Sequence, residues 1–265
     1  MPILADLLNK YNFEIDSDPL KIMPAVTNLF ETNVINEKLL DNLCYIYWLG
    51  HYHRFVTKNY NEMKYCYLTL IGKGYSCGMY CMGCYHDKVT KDYDKMEKYY
   101  LMAIKKRYPA SMYNMGYYHF NVTKDYDQME KYYLMAIEEG ISEAMYNMGY
   151  YHFEITKDYD QMEKYYLMAI KEGNPIAMNM MGWYHDEITK DYDEMKKYYL
   201  MAIENGDSDA MFNMGCYHDE ITKDYDEMKK YYLMAIKNGD INARYNMKCY
   251  HEDITKDYDE MKKYC

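Results

Sequence analysis

Histidine has the most regular placement of any reactive residue in this chain. His53, His86, His119, His152, His185, His218 and His251 stand 33 residues apart, and each is followed four residues later by a threonine, from Thr57 to Thr255. Histidines in series are candidates for metal ligands or for a pH switch. Stacked units of such a repeat lie about 10 Å apart or more, whereas zinc ligands sit about 2 Å from the ion. One histidine per unit is therefore too sparse for a metal. A buried histidine hydrogen-bonded near the threonine segment accounts for the column. A pH effect stays open, because seven similar imidazoles titrate in a similar range.

Cys77, Cys81, Cys84 and His86 form a second cluster, spaced C-x3-C-x2-C-x-H. Helical spacing puts the three thiols on one side. Zinc sites favour C-x2-C knuckles on turns, and other units carry Asn114, Asn147, Tyr117 and Tyr150 at two of these columns. Drift within the repeat explains the cluster, and no metal or cofactor is expected. Paired acids in the triplet D-Y-D recur from Asp92 onward. A catalytic carboxylate pair needs a dry pocket that raises one pKa. These pairs fall at an exposed helix start, where the dipole favours negative charge, so capping explains them. There is no phosphate loop, no H-E-x-x-H and no nucleophile elbow. A non-enzymatic protein is expected.

Composition narrows the partners. The 265 residues include 38 Tyr and 26 Met but only 5 Pro and 6 Phe, and the formal net charge is −11. That balance argues against nucleic acid, which wants a basic face, and against an anionic membrane surface. No uncharged apolar run approaches the roughly 18 residues of a transmembrane helix. The start, MPILADLLNKYNFEID, lacks the basic region of a signal peptide. Most of the eight cysteines sit at columns where other copies carry Tyr, Ala or Asn. A reducing compartment is the simpler reading, and an intracellular, cytoplasmic location follows as an expectation. Asn121-Val122-Thr123 is a formal glycosylation sequon that would matter only in a secreted chain.

The elements that must position these residues repeat with the same period. Residues 1–41 do not follow it; 2–11 and 19–30 read as short helices that cap the stack. Seven units follow, at 42–74, 75–107, 108–140, 141–173, 174–206, 207–239 and a truncated 240–265. A period of this size is the signature of a solenoid whose units bury their apolar faces only against neighbours. Each unit reads as helix A, such as 143–153, and helix B, such as 159–171, joined by a short loop. Asp191, Asp224 and Asp257 with Glu194, Glu227 and Glu260 have capping-box spacing. Gly74, Gly140, Gly173, Gly206 and Gly239 suit the left-handed position past helix B; Arg107 stands there in the second unit, at a strain on the order of 1 kcal/mol.

Tyr159, Met162, Tyr166, Ala169 and Ile170 fall on one face of helix B. Gly50, Gly83, Gly116, Gly149, Gly182 and Gly215 sit inside helix A, where Gly costs about 1 kcal/mol relative to Ala. Their recurrence implies a close approach of helix A to helix B. The last unit carries Lys248 and Arg244 in place of Gly and Met, as a terminal unit does, and fraying is expected there.

The unit resembles the Sel1-like repeat, a relative of the tetratricopeptide repeat. Ala144, Met148-Gly149, Asp158-Tyr159, Met162, Tyr165-Tyr166, Ala169-Ile170 and Gly173 match the family pattern in order and spacing. His152 departs from it, standing where the family has Tyr, and the A-to-B loop is shorter and lacks the family's G-x-G. The resemblance covers about residues 42–265. It implies an all-α, right-handed solenoid of antiparallel helix pairs that binds other proteins as an adaptor or scaffold, with helix A lining the concave surface. The Tyr/Met/Lys/Asp-rich style is also similar to that of Sel1-like proteins of large DNA viruses.

On helix A, positions −3, +1 and +4 from the mid-helix glycine share a face. The −3 column reads Tyr47, Tyr80, Tyr113, Tyr146, Asn179, Phe212, Tyr245; the +1 column reads His51, Cys84, Tyr117, Tyr150, Trp183, Cys216, Cys249; the +4 column includes Asp186 and Asp219. These columns vary between units, as purely structural positions should not. Tyr80, Tyr113, Tyr117, Tyr146, Tyr150, Trp183, Asp186, Phe212, Asp219 and Tyr245 are the candidate partner-binding residues. Aromatic anchors beside acids fit a protein or peptide partner with basic and apolar segments. The competing reading is that the aromatics pack between adjacent A helices with only their edges wet. An alternative function is a self-assembling structural protein that joins copies through the C-terminal edge.

Overall fold

The computed structural model describes residues 43–265. The expected helices over 2–11 and 19–30 lie outside the described residues. Those described form two compact units that divide between Glu139 and Gly140. Unit 1 holds three helix pairs: α1 (Leu43–Phe55) with α2 (Tyr60–Gly72), α3 (Ser76–Tyr85) with α4 (Tyr93–Ile104), and α5 (Pro109–Tyr118) with α6 (Tyr126–Glu138). Unit 2 holds four: α7 (Ser142–Tyr151) with α8 (Tyr159–Lys171), α9 (Pro175–Tyr184) with α10 (Tyr192–Glu204), α11 (Ser208–Tyr217) with α12 (Tyr225–Lys237), and α13 (Ile241–Cys249) with the short α14 (Tyr258–Met261). The first member of each pair is helix A and the second helix B.

The join between A and B is not the short loop that sequence spacing predicts. In every pair but the first, helix A runs on without a break into a π-helical turn, such as His152–Thr156 or His185–Thr189; the first pair turns after Phe55 without one. One lysine in left-handed conformation then reverses the chain: Lys58, Lys91, Lys124, Lys157, Lys190, Lys223 and Lys256 all have φ between 55° and 57°. The repeated histidine and threonine hold this turn. The imidazole Nδ1 and threonine Oγ1 lie 2.9–3.2 Å apart in all seven pairs. The same hydroxyl donates to the histidine carbonyl, at 3.4 Å for Thr222 and His218, and accepts the backbone N–H of the following cap residue, at 3.2 Å for Asp224. An imidazole protonated on Nδ1 satisfies all three contacts at once.

This also corrects the expected capping box. Asp191, Asp224 and Asp257 do cap helix B, accepting the backbone N–H of Glu194, Glu227 and Glu260 at 3.0–3.2 Å. The reciprocal bond is missing because threonine already takes the cap residue's N–H; Glu194 and Glu227 pair instead with Lys197 and Lys230 at 2.7 Å. Past helix B, Gly140, Gly173, Gly206 and Gly239 have φ of 79–90°. Arg107 adopts φ 56° without a glycine, and its guanidinium pairs with Glu139.

Between A and B the core is methionine, alanine and tyrosine. Met162, Tyr166 and Ala169 are fully buried, as are Met195, Tyr199 and Ala202 one unit on. The buried face of helix B is shifted from the one read in sequence. Tyr165 is buried, its ring stacked on His152 at 5.5 Å and 5°, whereas Tyr159 is partly exposed and packs on Tyr184 of the next pair at 5.6 Å. Equivalent Tyr–Tyr contacts at 5.2–5.4 Å join successive pairs through Tyr93–Tyr118, Tyr192–Tyr217 and Tyr225–Tyr250. The close approach implied by the helix-A glycines is present. A Cβ on Gly149 would stand 2.5 Å from Cδ1 of Tyr166, and Gly182 and Gly215 meet Tyr199 and Tyr232 in the same way.

Candidate protein-interaction surface

That approach sets the chemistry of the helix-A face. Because nothing fills the glycine position, each core tyrosine of helix B reaches across helix A, and its hydroxyl arrives beside the +1 column. In unit 1 the Tyr67 hydroxyl meets His51 Nδ1 at 3.3 Å, and the Tyr100 hydroxyl donates to Cys84 Sγ at 3.4 Å and accepts from Asn114 at 3.1 Å. In unit 2 the Tyr232 hydroxyl contacts Cys216 Sγ at 3.5 Å and accepts from Asn246 at 3.0 Å. Tyr166 and Tyr199 are the exceptions: both hydroxyls are buried without a hydrogen-bond partner. The sequence explains each. Met180 stands where Asn114 and Asn246 stand in their units, so Tyr166 has no amide. Asn213 is present, but its Nδ2 donates to Asn179 Oδ1 at 3.2 Å. A buried polar group left unpaired costs about 1–3 kcal/mol.

The predicted aromatics sit over these tyrosines. Tyr80 packs on Tyr100 at 6.1 Å and on Tyr108 at 5.0 Å; Tyr113 packs on Tyr133 at 5.9 Å; Tyr146 stacks on Tyr166 at 5.7 Å and lies 6.3 Å from Tyr150; Phe212 packs on Tyr232 at 5.8 Å. Trp183 meets Phe153 of the preceding pair edge-on at 5.5 Å and 87°. Most of these rings are half-buried, while Tyr117 is 45% and Tyr245 64% exposed. They are supported from below and wet above, between the groove and packing readings. Tyr47 and His51, in the same columns, are buried; burial drives the imidazole of His51 down to about 3.

The end of helix A differs between the units. In unit 1 a cavity of about 200 Å³ is lined by Asp87, Lys88, Lys91, Tyr93, Asn114, Tyr117, Tyr118 and Val122. Asp87 and Lys88 are paired at 2.9 Å, and the Lys88 ammonium lies 5.8 Å over the Tyr117 ring. In the last three pairs of unit 2 the equivalent positions are acidic, Asp186-Glu187, Asp219-Glu220 and Glu252-Asp253, whereas the first pair carries Phe153-Glu154. Asp186 and Asp219 are half-buried. Burial raises the Asp186 carboxyl above its usual range, with Glu187 and Glu220 adding to the effect.

The other residues singled out by spacing do structural work. Cys81 Sγ lies 3.8 Å from His51 Nε2, and Cys84 Sγ accepts from the Tyr100 hydroxyl. Among the described residues no His, Cys, Asp or Glu group has metal-binding geometry. The histidines stack on helix-B tyrosines, at 5.6 Å and 1° for His185 and Tyr198. Sequence spacing missed the π-turns and the two unpaired hydroxyls; Met180 in an asparagine column was the available sign of one of them.

A stack of antiparallel A/B pairs with a glycine–tyrosine crossing is an α-solenoid of tetratricopeptide-like type. The Sel1 repeat model matches residues 40–69, 109–141, 142–174, 175–207 and 208–240, more than half of the sequence, and the chain belongs to the Sel1 repeat family. The fold is similar to the crystal structure of a Sel1 repeat protein from Oxalobacter formigenes, with TM-score 0.66 and 23% identity over 81% of this chain and 95% of that one. An immunity protein from Pseudomonas aeruginosa gives TM-score 0.51 and 16% identity over 86% and 84% of the two chains. A protective antigen of uropathogenic Escherichia coli with an SLR fold gives 0.50 and 17% over 84% and 63%. Among curated proteins none matches the chain. Sel1 repeat proteins are generally protein-interaction scaffolds, and no helix among the described residues is long and apolar enough to cross a membrane.

Proposed function

We propose that this protein is a non-catalytic scaffold that binds a partner protein on the helix-A face, through Tyr80, Tyr113, Tyr117, Tyr146, Tyr150, Trp183, Phe212 and Tyr245, with Asp186 and Asp219 selecting basic segments. The observation that carries the reading is that Tyr80, Tyr113, Tyr146 and Phe212 are half-buried and each is packed from beneath on a core tyrosine. Rings held this way lose little freedom on binding and are suited to act as anchors. The seven free thiols among the described residues support a reducing, intracellular setting; only composition supports a large-DNA-virus source.

Affinity capture from cell lysate tests this, with a Tyr146→Ala/Trp183→Ala/Asp219→Lys variant, shown to be folded by circular dichroism, run beside the intact chain. A partner held by the intact chain and lost by the variant supports the reading. A partner held equally by both removes the site from this face. The alternative is self-assembly, favoured by the exposure of Ile241 (79%) and Tyr245 (64%) on α13. Absence of any partner, with a solution mass above that of the monomer, would select it.

A further inference from the structure

Two neighbouring columns at the end of helix A carry one base each, and both bases fall in unit 1. The +4 column reads Arg54, Asp87, Phe120, Phe153, Asp186, Asp219, Glu252; the +5 column reads Phe55, Lys88, Asn121, Glu154, Glu187, Glu220, Asp253. An acid in the +5 column can close on the left-handed lysine three residues on, as Glu154 does on Lys157 at 3.5 Å and Glu187 on Lys190 at 3.4 Å. Lys88 cannot. It turns back to Asp87 at 2.9 Å, and Lys91 has no ion pair among the described residues.

These residues meet at the cavity of about 200 Å³ in unit 1. Asp87, Lys88 and Lys91 line it from the second pair, and Asn114, Tyr117 and Val122 from the third. At roughly 30 Å³ for each liquid water, the space holds about six waters, or one carboxylate on its methylene stem with Tyr117 and Val122 as apolar walls. Two ammonium groups face one carboxylate, so one positive charge in the wall is unmatched. A phosphate brings about 1.5 to 2 negative charges and is opposed by Asp87; a single carboxylate balances the wall.

Arg54 is an independent sign of the same charge. It is half-buried, its Nη2 donates to the Cys84 carbonyl at 3.4 Å, and its guanidinium lies 4.9 Å over the Phe55 ring. No carboxylate pairs with it among the described residues. A charge drawn from water is normally matched by an opposite one, and a guanidinium has five donors to fill. Cys84 stands one turn before Lys88 on the same side of the helix, so Arg54 and Lys88 charge one stretch of the face.

We infer that the cavity between the second and third pairs receives an aspartate or glutamate side chain of a partner protein, its carboxylate on Lys88 and Lys91 and its stem against Tyr117. This deepens the scaffold reading and rests on it in one respect, that the helix-A face is the contact surface.

The test is an NMR titration of the intact protein, following backbone amides. The probes are a blocked five-residue alanine peptide with glutamate at its centre, the same peptide with glutamine, sodium acetate and inorganic phosphate. Shifts should centre on Lys88, Lys91, Asn114 and Tyr117, and the glutamate peptide should bind about fivefold tighter than the glutamine one, the effect of one partly desolvated charge pair. Lys88→Glu, which installs the arrangement of Glu187 and Lys190, should abolish that preference while keeping the circular dichroism spectrum, and Lys88→Gln should weaken it. Equal affinity for the two peptides, shifts centred elsewhere, a preference that survives Lys88→Glu, or no binding would each overturn the proposal. Acetate binding as tightly as the glutamate peptide would overturn it in favour of a free small carboxylate, and tighter binding of phosphate in favour of a phosphate ligand. The scaffold reading is judged separately: a captured partner lost by Tyr146→Ala/Trp183→Ala leaves it standing when the peptides fail, and a partner indifferent to that variant removes it.

Discussion

The ring of Tyr166 crosses helix α7 over Gly149 so closely that a Cβ there would stand 2.5 Å from Cδ1. The same two columns, seventeen residues apart, hold Gly182 with Tyr199 and Gly215 with Tyr232. In the last pair both columns change together, to Lys248 and Cys265: where the ring is absent, the requirement for glycine is absent too. Gly149→Ala should therefore destabilise by about 1–3 kcal/mol through overpacking, although alanine is the better helix former by about 1 kcal/mol. In a Tyr166→Cys background the same substitution should become neutral or stabilising. Urea midpoints for the four members of the cycle measure the coupling; an alanine cost equal in both backgrounds would show that the ring does not impose the glycine.

The π-turn makes two opposite predictions at adjacent residues. Thr222→Val removes a hydroxyl that serves His218 and the N–H of Asp224, and should cost about 1–2 kcal/mol. Lys223→Gly relieves a left-handed φ of 55°, worth about 1–2 kcal/mol, against the about 0.5–1 kcal/mol of extra chain entropy that glycine loses. A net gain of about 0.5 kcal/mol is expected. Thermal unfolding of the two variants checks both signs.

His51 should make unit 1 acid-sensitive. It is buried among Tyr47, Trp48, Phe55 and Tyr67, with Cys81 and Arg54 the other groups facing it. Burial holds its folded-state value at about 3, with the Arg54 charge adding to the effect, below the roughly 6.5 of a free imidazole. The unfolded chain then binds the proton that the folded one refuses. Stability is complete above about pH 6.5 and falls as the pH drops toward 3, by about 2 kcal/mol between pH 7 and pH 5. Denaturant unfolding at the two pH values should show this loss, and His51→Gln should reduce it by that amount. An unchanged pH slope in the variant would assign the sensitivity to other groups.

What was legible in the sequence follows from what the repeat encodes. Gly149 in a helix costs something that only a neighbour's bulk explains, so the A–B crossing could be read before the partner ring was known. Asp191 three residues before Glu194 marked the start of helix B, and His152 before Thr156 the hydrogen-bonded turn. The path between A and B was not legible, because the left-handed residue is lysine at all seven sites and lysine carries no signal for positive φ. The displacement of Tyr159 by Tyr165 on the buried face was hidden as well: both are tyrosine, and only the stacking of Tyr165 on His152 decides between them. The unpaired Tyr199 hydroxyl depends on which way one amide, Asn213, turns, and composition does not encode that.

Hydrogen–deuterium exchange of the intact protein with and without a captured partner tests the central claim most directly. Protection on binding should fall on helix A and its π-turn, over residues 146–153, 179–186 and 212–219, and should leave the first turns of helix B at 159–161 and 192–194 unchanged. Protection confined to the B helices, with the helix-A segments exchanging as in the free protein, would contradict the account.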